Sequence, residues 1–133
     1  MLPISLVAVL VAGIANFVIG FMMHGPVGGK LWMKLANIVP TGNEKLSDMV
    51  PQMVKNLIAN LVFAYVLAMM INYAGAMDAM SGLIVAFWVW LGFVVTSTSM
   101  DVIWMGRSVK LWMYEAFSSL LCILAMGAII GAW

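Results

Sequence analysis

Few groups in this chain could do chemistry. Asp101 and Glu115 are carboxylates set beside or inside apolar stretches, and His24 is the single histidine. A carboxylate pair can move protons, but catalysis also needs a nucleophile, a metal or a bound substrate beside it. No such group accompanies Asp101 and Glu115 in the sequence. Met22-Met23-His24 has soft-metal character. Methionine, however, makes up 14 of the 133 residues, and no second His or Cys stands at ligand spacing. Cys122 is the only cysteine, so it has no intrachain disulfide partner. Gly25, Gly28 and Gly29 are not followed by the Gly-Lys-Ser/Thr of a phosphate loop. No catalytic residue, cofactor or metal is therefore assigned. What remains is a scatter of amides and hydroxyls, Asn16, Asn60, Thr96, Ser97 and Ser119, inside hydrophobic runs, where each must find a partner.

The elements that carry these groups follow from composition. Hydrophobic residues make up 65% of the chain and charged residues 8%, against roughly 45–50% and about 25% in soluble domains. So few charges cannot cover a water-soluble domain, which excludes a nucleic-acid binder and an ordinary cytosolic enzyme. A membrane-spanning helix needs about 20 apolar residues. Four stretches qualify, at about 4–23, 52–73, 80–100 and 111–132. The alternation of a membrane β-barrel is absent. Pro51 reads as a start signal for the second span, and 101–110 as a short polar link. Between the first two spans, Leu31, Trp32, Leu35, Ile38 and Val39 alternate with Lys30, Lys34 and Asn37 at helical spacing. That pattern predicts a short amphipathic helix at about 29–39, lying in the interface and ended by Pro40-Thr41-Gly42-Asn43. The expected architecture is an all-α membrane protein. It is one domain over 1–133, an antiparallel four-helix bundle with an interfacial helix between helices 1 and 2.

Basic residues set the orientation. Lys30, Lys34, Lys45 and Lys55 flank the first connection, and Arg107 and Lys110 lie in the third. The second connection and both tails have none. The positive-inside tendency makes the basic side cytoplasmic and both termini external. Lys30, Trp32, Lys34, Arg107 and Lys110 are expected to meet lipid headgroups there. Membrane lipid is thus the first partner expected. The first stretch lacks the basic leader of a signal peptide and reads as an uncleaved anchor.

At 1.5 Å per residue, Asn16, Asn60 and Ser119 lie roughly 10–14 Å above that basic edge. Thr96, Ser97 and Glu115 lie about one turn nearer to it, and Asp101 sits at its mouth. The layer has two readings: hydrogen bonds between helices, or a cytoplasm-facing pocket for a solute or ion. For Glu115 the further alternative is an ion pair with Lys110 or Arg107. Small residues at Ala12, Gly20, Gly127 and Gly131 predict close helix packing. Beyond the layer the outer half is an apolar plug.

Phe17-x-x-Gly20, His24-Gly25-Pro26 and Gly29-Lys30-Leu31-Trp32-Met33 form one motif region. Gly92-Phe93, Trp104, Arg107 and the ending Met126-Gly127-x-x-x-Gly131-x-Trp133 form another. Together they resemble the small bacterial membrane proteins catalogued as domain of unknown function 1761. That family usually has an aromatic pair before its Ser-Pro turn, where this chain has Met23-His24. It also has a Phe where this chain has Gly28. The resemblance implies four membrane helices in the bacterial cytoplasmic membrane, and it assigns no site residues.

Three functions follow as expectations. The first is a non-enzymatic module that forms a homo-oligomer or joins a membrane-protein partner, motivated by the small-residue faces. The second is a small-solute or ion transporter using the polar layer. The third is a membrane enzyme acting on lipid. No nucleic-acid partner is expected.

Overall fold

A computed structural model describes residues 3–39 and 46–133. The expected helix stop at Pro40, Thr41, Gly42 and Asn43, together with Glu44 and Lys45, lies outside the described residues. Every regular element among them is helical: α1 (Leu6–Met23), α2 (Gly29–Ala36), α3 (Leu46–Tyr73), α4 (Ala79–Val89), α5 (Thr96–Met105) and α6 (Val109–Ala132). A π-helical stretch, Trp90–Val95, joins α4 to α5 without a break. Four helical stretches are long and apolar enough to cross a membrane: Leu6–Met23, Ser47–Tyr73, Ala79–Met105 and Val109–Ala132.

Local chemistry explains the ends. The Ser5 hydroxyl accepts the Ala8 N–H at 3.2 Å and starts α1. The Met22 carbonyl accepts N–H groups from Gly25, Val27 and Gly28, which closes the turn after α1. Asn37 adopts a left-handed conformation (φ 58°) and stops α2 at Ala36, short of the expected Val39. Pro51 does not start α3 but lies inside it. Its missing N–H frees only the Ser47 carbonyl, near an exposed helix start, and Asp48 in the first turn favours the helix dipole there. The third span also runs past Met100: Asp101 and Trp104 are helical, and α5 stops where Gly106 turns left-handed (φ 67°). The polar link therefore shrinks to residues 106–108.

Asp78 caps α4, accepting the Ser81 N–H at 2.7 Å and the Ser81 hydroxyl. Those two donors favour the ionised form and hold its carboxyl below the usual carboxylate range. A depressed native pKa gives stability that is present above the unfolded value and lost as pH falls through the native one. Asp78→Ala should therefore lower the melting temperature at pH 7. The gap from wild type should close as pH drops below about 4, the ordinary carboxylate range. A constant gap across a melting series in detergent from pH 7 to pH 3 would count against the cap.

The helix α6 is central, packing on α4, α1 and α3. The α4–α6 crossing is made by glycine. A Cβ at Gly82 would lie 2.2 Å from the Gly127 carbonyl oxygen, and one at Gly131 would lie 2.3 Å from that of Asp78. The helix α1 packs on α3 as well, with Gly13 against Leu61. The core fills from all four spans: Val9 and Ala12, Ala64 and Leu67, Ala86 and Val89, Ile123 and Met126.

Candidate functional site

The helices α3 and α6 both pack along α1, yet touch each other far less. Their divergence leaves a groove of about 700 Å³, within the roughly 300–1,000 Å³ typical of small-molecule sites. The groove opens at the end where α1 closes and α3 begins. One wall is α3 from Asp48 to Phe63, which at 1.5 Å per residue makes it roughly 20 Å long. The opposite wall is α6 from Glu115 to Ile123, and α1 supplies Asn16 to His24.

The structure brings Asn16, Asn60, Glu115 and Ser119 to this one groove. Ser119 donates to the Ala116 carbonyl at 2.8 Å and lies 3.1 Å from the Trp90 indole N–H, which also points at the Ala116 carbonyl. That hydroxyl helps fasten the third span to α6. Glu115 carries an ion pair: Arg107 Nη2 donates to its Oε2 at 2.7 Å, and Arg107 Nη1 lies 3.7 Å from Asp101. One guanidinium thus serves two carboxylates, and the set is net negative. Of the alternatives for Glu115, the partner is Arg107.

Thr96, Ser97 and Asp101 do not line the groove. Thr96 and Ser97 are exposed, and each hydroxyl turns back onto its own helix, to the carbonyls of Gly92 and Phe93. The reason is topological: α5 packs on α6 and the π-helical stretch but reaches neither α1 nor α3, so it has no place on the groove wall. Thr98, two residues on, is the hydroxyl that meets another span, accepting from the Trp112 indole at 2.9 Å.

Of the expected packing residues, Ala12 is buried, and Gly127 and Gly131 meet α4. Gly20 has nothing within 4 Å of its Cβ position and lines the groove instead. Lys30, Lys34 and Lys110 are exposed at the same end as the groove mouth. Trp32 differs from these: it lines the groove and meets the His24 ring edge-on at 5.0 Å. Among the described residues its indole N–H is buried without a partner.

Sequence reasoning also missed the clasp at the mouth. Tyr114 donates its hydroxyl to the Met23 carbonyl at 2.5 Å and lies 3.2 Å from the Gly28 carbonyl. This pins the turn after α1 against the start of α6. Glycine at position 28 makes room for this contact: a Cβ there would lie 2.4 Å from the Met23 carbonyl oxygen, which is backbone, and 1.8 Å from the Tyr114 oxygen. His24 donates Nδ1–H to the Gly20 carbonyl at 2.9 Å, since a carbonyl can only accept. Its Nε2 is thereby left for other partners. The signal for these contacts lay in His24-Gly25-Pro26 and Tyr114, whose partners stand 86 to 91 residues apart in the chain.

The other end of the same α1–α3–α6 seam holds a hollow of about 150 Å³, bordered by Ser5, Asn72 and Gly131. Between hollow and groove the seam is closed by Ala12, Ala64, Leu67 and Met126, each 0–1% exposed. Among the described residues, no group of three or more His, Cys, Asp or Glu is placed to hold a metal.

A family model described as protein of unknown function (DUF1761) matches residues 7–131. No curated protein and no solved structure matches the chain.

Proposed function

From the premise that the chain belongs to the DUF1761 family of proteins of unknown function, we propose a non-enzymatic, multi-pass protein of the bacterial cytoplasmic membrane. In this reading it is an antiparallel bundle that takes a small solute into the α1–α3–α6 groove from the cytoplasmic side, as a binding or transport component. The observation that carries the reading is the groove itself, with amides and two carboxylates set along a largely apolar cleft. Polar groups in a membrane interior are costly and face water-filled cavities or one another. The basic side chains at the groove mouth support a cytoplasmic opening and external termini.

Self-association is the other reading that the sequence raises. Ala12, Gly127 and Gly131 are taken up by contacts within the chain, so they no longer argue for a second copy.

Thiol accessibility tests the groove. In a Cys122→Ala background, Asn60→Cys should react with a membrane-impermeant methanethiosulfonate applied from the cytoplasmic side. Ala64→Cys, one turn deeper and 0% exposed, should stay inert. Equal inertness of both would mean a dry layer and defeat the proposal, and reaction only from the external side would reverse the orientation.

A further inference from the structure

The charged side chains that line the groove are Asp48 and Glu115, and neither lysine nor arginine is among them. The nearest guanidinium, Arg107, is held by Glu115 at 2.7 Å and Asp101 at 3.7 Å. An entering anion would find no unengaged positive partner on the walls. The walls also carry the aromatic rings of Phe17, Phe21, Trp32 and Phe63. Aromatic faces attract cations, more strongly where water is excluded. The amides of Asn16 and Asn60 line the deep end, and each has a carbonyl oxygen that a cation can use. Carboxylates and aromatic rings favour positive charge, the amides can accommodate it, and the apolar lining favours a hydrocarbon body over a hydrated metal ion.

We propose that the groove binds a hydrophobic organic cation, such as a quaternary or protonated amine with an apolar body. The inference rests on the solute-binding reading above and specifies the chemistry of its ligand. Of the charged groups at the mouth, Asp48 lines the groove whereas Lys30, Lys34 and Lys110 do not, so Asp48 is the one that a cation meets on the wall. The Glu115–Arg107–Asp101 set, net negative, sustains the potential along the α6 wall. The rings of Phe17, Phe21 and Trp32 receive the charge and the body together. A volume of about 700 Å³ accommodates such a molecule.

Tetraphenylphosphonium is the probe, and tetraphenylborate is its counterpart of like shape and opposite charge. The full chain is placed in nanodiscs of neutral phosphatidylcholine and studied by equilibrium dialysis. Saturable binding of the cation at one site per chain is expected, with no saturable binding of the anion. Asp48→Asn with Glu115→Gln should weaken cation binding at least about tenfold, the equivalent of about 1.4 kcal/mol. Asp48→Asn alone, at an exposed first-turn position, should weaken it detectably and keeps the test informative if the double variant does not fold. The cation should also protect Asn60→Cys from the thiol reagent. Equal binding of both ions, or cation binding indifferent to both carboxylate variants, overturns the inference. If Asn60→Cys reacts but the cation neither binds nor protects, the ligand class is wrong while the open groove stands. If Asn60→Cys does not react, the solute-binding reading falls and the inference falls with it.

Discussion

Gly127→Leu should abolish the folded state, whereas Gly20→Leu should leave it intact. Both positions are glycines of membrane-length helices, so a helix-propensity argument treats them alike and favours both substitutions by up to about 1 kcal/mol. Their surroundings differ. A Cβ at Gly127 would lie 2.4 Å from the Ala86 Cβ and 2.6 Å from the Gly82 carbonyl oxygen. Backbone stands on both sides of that contact, so no rotamer change relieves it. In lipid no hydrophobic force presses helices together. Van der Waals contact between close backbones supplies the attraction, and moving α4 off α6 forfeits it along the whole crossing. Even Gly127→Ala should cost about 1–3 kcal/mol, the usual range for overpacking. At Gly20 the Cβ position is empty to 4 Å. Denaturation in mixed micelles distinguishes the pair, and equal stability of the two leucine variants would contradict the crossing.

The second large effect is expected at the closed part of the seam. Leu67 and Met126 are the largest fully buried side chains. They stand between the groove, which reaches Phe63 on α3, and the hollow at the other end of the seam, which begins at Ala68. Those two residues are about 8 Å apart along the helix. Truncating either to alanine leaves a void and should cost about 2 kcal/mol, the low end of the range for such changes. The low end applies because the competing lipid environment is itself apolar, so lost packing contacts dominate. Leu67→Ala combined with Met126→Ala joins groove to hollow. Liposomes carrying the double variant should leak small ions and uncharged solutes that wild-type liposomes retain. Ile84→Ala, at an exposed apolar position, is the matched control. Tight liposomes from a folded double variant would show that the closure lies elsewhere.

The groove explains why a local reading reached some of its residues and missed others. Asn16, Asn60 and Ser119 stand at like depth because depth follows from counting residues along apolar runs. Glu115 stood out because a carboxylate in such a run needs a partner. Which face each residue takes is a different matter. Thr96 and Ser97 have suitable depth, but they stand on α5, which borders neither α1 nor α3, and their hydroxyls turn back onto their own helix. Which helices α5 meets depends on how the third span lies against α6, where Trp90 bonds to Ala116 and Ser119, and depth along an apolar run does not show it.

The sequence alone determined the four apolar stretches and the gathering of basic residues at two connections. These are one-dimensional properties: length, hydropathy and charge placement need no knowledge of neighbours. It also marked Gly127 and Gly131 as close-packing residues, because a missing side chain is visible without its partner. Tertiary structure decided that they meet Gly82 within the chain, that Gly20 borders open space, and that Arg107 answers Glu115. It decided, above all, that α3 and α6 separate along α1. That separation depends on the summed bulk of side chains from three helices meeting at once, which no single stretch of chain encodes.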